Sequence, residues 1–252
     1  MELRGKSAII TGSSGRLGSE IAKALATAGC NCICHYNQHE QKAEELVKQI
    51  QSLGVKALAI EADLTKPEEI EGLFEKASEF GTPQILINSA AVFSRQPLAE
   101  VVFDEAQRVL NLNLIVPILT SRAFAKMVNS KFPDAKLAPA KAGVGKIINI
   151  ADVGGVRPWA GYVLYCSSKA GLIGATRALA KELVPAICVN SVAPGVVSWP
   201  SDFDESEKQR QLKFIPVRRI ARMNEVTEAV IFLLKNDYVT GQVLGVDGGR
   251  CI

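Results

Sequence analysis

Residues Gly145–Lys169 read GKIINIADVGGVRPWAGYVLYCSSK. The run opens with Ile147, Ile148 and Ile150, an apolar β-branched stretch that predicts a strand of a buried parallel sheet. It breaks at Gly154-Gly155 and Pro158 and re-forms with helical spacing. Tyr165 and Lys169 stand four residues apart, so on a helix they share one face. Asp152 falls where the strand ends, the place where open α/β sheets hold their ligands. An acid, a phenol and an amine are thereby directed to one crevice.

Outward from this stretch, strand and helix alternate. Strands are predicted at Ser7–Thr11, Asn31–Tyr36, Val55–Ile60, Gln84–Asn88, Lys146–Ala151, Ile187–Val192 and Gln242–Val246. Helices are predicted at Ser19–Ala28, Glu40–Leu53, Pro67–Phe80, Phe103–Val128, Gly161–Val184 and Asn224–Leu234. Gly29 ends the first, Pro67 opens the third, and Asn224 is the expected cap of the last. The polar, Pro-containing Asn129–Gly145 reads as a surface insertion, and the charged Val197–Phe214 as a lid. No internal repeat or boundary interrupts the pattern. The expectation is one domain over residues 1–252, a Rossmann-type doubly wound parallel sheet of about seven strands with helices on both faces.

Composition is that of an ordinary soluble globule, with 48% hydrophobic and 22% charged residues. A net charge of +3, dispersed along the chain, gives no reason to expect nucleic acid or a membrane surface as partner. Met1–Lys6 is polar, unlike a secretory leader, and no unbroken apolar span reaches the ~18 residues of a membrane helix. Cys30, Cys32 and Cys34 alternate along a strand and share one face. Without a second ligand cluster they read as small buried hydrophobes, not as a metal site. With Cys166, Cys188 and Cys251 they suggest free thiols in a reducing cytoplasm.

The turn Thr11–Gly18, TGSSGRLG, joins the first strand to the first helix. A helix N-terminus offers free amides and the positive end of a dipole, which suits a phosphate. Gly12 permits the tight turn and Gly18 the close approach of helix to sheet. Arg16 within the turn could pair with phosphate or hydrogen-bond a planar ligand. After the second strand, His35-Tyr36-Asn37-Gln38-His39 carries no acid to hold a ribose 2′-hydroxyl, which favours NADP(H) over NAD(H) without excluding the latter. His35 and His39 have no ligand spacing and read as cofactor-rim or surface groups.

Together Thr11–Gly18, Asp63, Asn88–Ala90, Asn113, Tyr165–Lys169, Pro194-Gly195 and Val246–Gly249 resemble the short-chain dehydrogenase/reductases over essentially the whole chain. Within that family the pattern is most similar to pteridine reductases. Like them, the chain has Arg16 where the family has Gly, and Asp152 where it has Ser, thirteen residues before the tyrosine. The Gly161-Tyr162-x-x-Tyr165-x-x-x-Lys169 spacing also matches, and Phe93 stands where they stack a phenylalanine on the pterin. The chain departs from them at Ala91, Gln38 and Trp199. The resemblance implies Tyr165 as proton donor, Lys169 as ribose ligand and tuner of the tyrosine, and Asn113 as holder of a relay water. It implies a cofactor site of Gly12, Arg16, Leu17, Gly18, His35, Tyr36, Asn37, Asp63, Leu64, Ser89, Ala90, Ala91, Tyr165, Lys169, Pro194 and Gly195. It implies a substrate site of Arg16, Phe93, Asp152, Tyr165 and Trp199, and a homotetramer.

A free tyrosine titrates near ~10, and an ammonium beside it should lower that value. A serine at position 152 would donate a hydrogen bond to a ketone oxygen; an ionised aspartate cannot, and it would oppose tyrosinate formation through like-charge repulsion. A carboxylate suits a heterocycle that offers N–H donors, and if burial holds it protonated, it could itself serve as acid. Three functions are therefore expected, in this order: an NADPH-dependent reductase of a pterin-like heterocycle, a carbonyl or 3-oxoacyl-type reductase, and a non-catalytic nucleotide-binding protein.

Overall fold

A computed structural model describes residues 1–136, 144–199 and 203–252. Its seven strands are β1 (Ser7–Ile10), β2 (Asn31–Tyr36), β3 (Ala57–Glu61), β4 (Ile85–Asn88), β5 (Gly145–Ile150), β6 (Ile187–Pro194) and β7 (Val243–Val246). They form one sheet in the order β3-β2-β1-β4-β5-β6-β7, every pair parallel. The order reverses between β1 and β4, which opens the crevice of a doubly wound sheet at their C-terminal ends.

Alternation along the strands divides the core into two layers. On one face Ala8, Ile10, Cys30, Cys32, Cys34, Ile148 and Ile150 pack with α1 (Arg16–Thr27), α2 (Glu40–Gln51) and α8 (Met223–Lys235). On the other, Ile9, Ile33, Leu86, Ile147 and Val189 meet α3 (Pro67–Phe80), α5 (Val116–Lys131) and α6 (Val163–Leu183). Cys30, just before β2, and Cys32 and Cys34 within it are thus core residues, and burial lifts the Cys30 and Cys34 thiols to about 12.

Five expectations are corrected. The first helix begins at Arg16, not Ser19, because Gly15 in extended conformation is its N-cap. The helix expected over Phe103–Val128 is two: α4 (Phe103–Leu110) and α5, joined by a π-turn over Asn111–Ile115 that presents Asn113. Such widened turns recur at functional sites. Asn224 lies inside α8; Arg222 is the N-cap, and its amide donates to the Glu225 carboxylate at 2.7 Å. The expected lid contains α7 (Glu205–Leu212), capped by the Asp204 side chain. The expected insertion holds the end of α5, a 3₁₀ turn at Pro133–Lys136 and the first residue of β5; residues 137–143 of it, and 200–202 of the lid, lie outside the described residues.

Candidate active site

At the end of β1 the chain turns through Gly12 at φ +64. A Cβ there would stand 2.8 Å from Ala90 Cα, and one on Gly18 2.5 Å from the Gly12 carbonyl oxygen. Only glycine lets the β4 loop and α1 come this close. Thr11 Oγ accepts the amides of Ser89 and Ala90 at 3.0 and 3.1 Å, which ties the two loops together. No side chain caps α1 and no acid sits in its first turn, so the amides at Arg16, Leu17 and Gly18 remain open to an anion.

His35 holds this turn from beneath. Its Nδ1 accepts the Gly12 amide at 3.0 Å, which places the ring proton on Nε2, donated to the Ala62 carbonyl at 2.9 Å. Burial pushes the imidazole down to about 4, so it stays neutral. His35 was expected at the cofactor rim; at 2% exposure it is instead a strut between the ends of β1, β2 and β3.

On the other side of the switch point, Asp152 stands two residues past β5 in extended conformation. Its Oδ1 accepts the Gly154 amide at 2.7 Å and its Oδ2 the Tyr165 hydroxyl at 2.9 Å. Lys169 Nζ donates to the Ile150 carbonyl at 2.8 Å and lies 5.8 Å from the Tyr165 ring centroid. Burial lowers Lys169 to about 8, with the Asp152 carboxylate opposing that fall. Burial lifts Asp152, against the pull of the Gly154 amide, Lys169, Tyr165 and Arg250. Tyr165 departs from expectation: burial, then the charge and hydrogen bond of Asp152, hold its phenol well above the ordinary value. Lys169 spends its hydrogen bond on β5, and the group touching the phenol is the carboxylate.

Asn113 is fully buried. Its Nδ2 donates to Val92 O at 2.9 Å and Ser168 Oγ at 3.1 Å, and its Oδ1 accepts the Val92 amide at 2.9 Å. Deeper in the sheet, Asn88 donates to Asn149 at 2.9 Å and accepts from Thr120 at 2.7 Å, a satisfied polar rung across β4 and β5. Above the site stands an aromatic wall. Phe93, 53% exposed, stacks on Tyr162 at 5.1 Å and meets Tyr165 edge-on at 4.7 Å; Trp159 meets Tyr162 edge-on at 5.8 Å.

The family model described as enoyl-(acyl carrier protein) reductase matches residues 12–250. A 3β-hydroxysteroid dehydrogenase of Eggerthella lenta is 32% identical over 260 residues, covering 100% of this chain and 95% of its own. A 3-oxoacyl-[acyl-carrier-protein] reductase of Synechocystis is 32% identical over 248 residues, with 96% and 95% covered. Among solved structures, a blue fluorescent protein from a metagenomic library in complex with NADPH superposes with TM-score 0.87 at 31% identity, both chains covered in full.

The chain is a short-chain dehydrogenase/reductase.

Within this member of the family, the tyrosine, lysine and aspartate expected to meet do meet, and Asn113 lies one shell behind them, against Ser168 of α6. The Leu64 side chain is 3% exposed and packs in the α3-side core. Asp63 turns back on its own loop, accepting from the amide and hydroxyl of Thr65 at 3.0 and 2.7 Å. Asn37 is exposed just past the end of β2, His35–His39 carries no acid, and Tyr36 Oη lies 3.5 Å from a carboxylate oxygen of Glu40, the first residue of α2. Arg16 and Ala91 are exposed, Pro194 ends β6 and Gly195 follows it. Trp199 stacks on Phe203 at 6.3 Å, within the lid. Sequence reasoning missed the pairing of Arg250 with Trp159, whose ring packs against Gly154 beside the site. Nothing local marks Arg250, which follows Gly249 far along the chain; the signal is purely tertiary.

Proposed function

We propose that this protein is an NADPH-dependent reductase that delivers hydride to a C=N bond of a flat, pterin-like heterocycle. The observation that carries this reading is the 2.9 Å bond from Tyr165 to Asp152. A carboxylate there is an acceptor, so a ligand that displaces the phenol from it must bring N–H donors, as a 2-amino-4-oxo ring does. Phe93 and Tyr162 supply an apolar face for such a ring.

The cradle at Gly12 and Gly18 and the uncapped N-terminus of α1 fit a dinucleotide phosphate, with Arg16 alongside. NADPH, when bound, supplies the hydride. Tyr165 gives the proton to the substrate nitrogen, and Lys169 stabilises the phenolate left behind. Asn113 fixes the α5–α6 side of the site through Val92 and Ser168. The glycine cradle suits NADH as well as NADPH; the NADPH bound to a 31% identical neighbour supports the phosphorylated form, and Glu40 beside Tyr36 opposes it. Titrating both cofactors decides between them.

A second reading, carbonyl or 3-oxoacyl reduction, has the names of the relatives on its side: a hydroxysteroid dehydrogenase and a 3-oxoacyl reductase both act on oxygen-bearing carbon. On names it is the stronger, on the chemistry of position 152 the weaker. Following NADPH oxidation with oxidised pterins, dihydropterins, folates, ketones and 3-oxoacyl thioesters separates the two. Pterin turnover that Asp152→Ser nearly abolishes supports the first reading. Ketone turnover alone, kept or raised by Asp152→Ser, replaces it with the second. The reading also includes a homotetramer in a reducing cytoplasm, where the six unpaired thiols would persist; light scattering that gave a monomer would contradict the former.

A further inference from the structure

The loop after β4 carries Phe93 and, two residues on, Arg95. It is pinned at both ends. At one, the Asn113 side chain holds the amide and the carbonyl of Val92, each at 2.9 Å. At the other, the Gln96 amide donates to the Gly161 carbonyl at 2.7 Å, and Gln96 forms a parallel bridge to Tyr162. Arg95 lies between these anchors, and its side chain crosses Gly161. That glycine turns at φ +80, and a Cβ on it would stand 3.3 Å from Arg95 Nε and 3.7 Å from Arg95 Cγ. A side chain at 161 would therefore lift the arginine from its seat. The seat is one residue before Tyr162, the ring that stacks on Phe93.

Arg95 is exposed, and among the described residues nothing forms an ion pair or hydrogen bond with its side chain. The acid beside the loop is engaged elsewhere. Glu105 accepts the Ser94 hydroxyl at 3.2 Å and meets the Arg108 guanidinium with both oxygens at 2.7 Å. The other arginines on this side of the crevice have protein acceptors: Arg157 donates to the Arg250 carbonyl at 2.7 Å, and Arg250 to Gln211 at 2.9 Å. Arg95 thus combines a fixed backbone, a seat against the aromatic wall and an unpaired planar cation turned to solvent.

We propose that Arg95 is a specificity-determining residue that receives a carboxylate carried on the substrate, on a side arm remote from the reacting bond. A guanidinium offers two parallel N–H donors to such a group. No more than about 7 Å of chain separates Phe93 from Arg95, so a short side arm on a ring laid against Phe93 spans the gap. The substrate class is then a flat heterocycle with an acidic arm, its ring on the Phe93–Tyr162 wall and its charge on Arg95. The proposal deepens the heterocycle reading given above and rests on it. An exposed pair of this kind has a modest strength that salt screens.

The test compares folate with its dimethyl ester, which share ring and side arm and differ in charge. Binding to the full-length protein with NADP⁺ is measured by calorimetry, and KM by NADPH oxidation. The acid should bind roughly three- to tenfold more tightly than the ester at low salt, and the preference should shrink as ionic strength rises. Arg95→Gln should remove the preference by weakening the acid and not the ester, Arg95→Lys should keep part of it, and Arg95→Glu should reverse it. An equal loss for acid and ester would make Arg95 a prop for Tyr162 and overturn the proposal. A preference that none of the variants moved would overturn it too. A second pair, a long-chain keto acid and its methyl ester, keeps the two readings apart. If neither form of folate binds and the keto acid is preferred through Arg95, the heterocycle reading falls and the carboxylate site stands. If both forms of folate are reduced with equal KM, the heterocycle reading stands and the site falls. No preference for the acid in either pair overturns the site.

Discussion

Beside β1 the crevice wall is backbone: Gly12 and Gly18 in contact with neighbouring main chain, held by the Thr11 hydroxyl and a neutral His35. Beside β5 it is charge: Asp152 bonded to the Tyr165 phenol, with the Lys169 amine buried behind it. The first side is shaped for a ligand whose phosphates meet open amides, and its tolerance is steric. The second is shaped by opposing charges in a poorly solvated place, and its tolerance is electrostatic. Substitutions on the two sides should therefore fail in different ways.

The largest effect is expected on the charged side. Tyr165→Phe removes the proton donor and the hydrogen bond to Asp152 while keeping the ring that meets Phe93. Turnover should fall by roughly 10²–10⁴-fold, the usual worth of a placed acid, with the far-ultraviolet circular dichroism unchanged. Retention of a tenth of the activity would move the proton donor elsewhere.

The next effect belongs to the backbone side and reads out in stability. His35 is neutral when folded, its pKa depressed to about 4 from the ordinary 6.5. The unfolded chain therefore takes up a proton in the window between these values that the folded chain refuses. The contribution is fully present above pH 6.5 and is lost as the pH falls toward 4, about 3 kcal/mol in all. Denaturant titrations across that window should show this slope, and His35→Phe should flatten it. The same variant strands the Gly12 amide and the Ala62 carbonyl, so it should be less stable at pH 7 by about 1–3 kcal/mol.

What was legible beforehand follows the same division. The parallel sheet, its order of elements and the Gly12–Gly18 turn could be read because strand and helix periods, and glycine where a Cβ cannot fit, are local properties. Tyr165 and Lys169 could be paired because four residues make one helical turn. The π-turn at Asn111–Ile115 was invisible, since its apolar spacing looks like continuous helix. His35 was misread as a rim group because a histidine at a strand end says nothing of which side it faces. Arg250 was unreadable because its meeting with Trp159 depends on β7 lying beside β6 and on the tail folding back. For Tyr165 the opposition of Asp152 to the phenolate was legible, but not which neighbour prevails: spacing placed Lys169 near the phenol and could not show that its hydrogen bond goes to Ile150.

A smaller effect tests whether the first side is steric. Gly18→Ala must push α1 from the Gly12 carbonyl, whereas Gly72→Ala in α3 meets nothing within 4 Å. The first should cost about 1–3 kcal/mol in NADPH binding, roughly ten- to a hundredfold by fluorescence titration. The second should leave binding alone and raise the unfolding free energy by about 0.5–1 kcal/mol. Equal behaviour of the two would mean that the turn adapts and that its amides, not its shape, select the ligand.

The smallest effect falls on the wall between the two sides. Phe93 is half-exposed, stacked on Tyr162 and edge-on to Tyr165, so it contributes little to folding and has a free face to offer. Phe93→Ala should leave the thermal midpoint near that of the parent. It should raise KM for a flat substrate by up to about tenfold, the equivalent of the 0.5–1.5 kcal/mol an aromatic pair adds beyond buried area. Phe93→Tyr should restore it. For a flexible ketone the same truncation should change KM much less, because no ring is there to stack. A KM that moved equally for both substrates would make Phe93 a prop for Tyr165, and the aromatic wall would then belong with the buried charges as part of the proton-donating machinery.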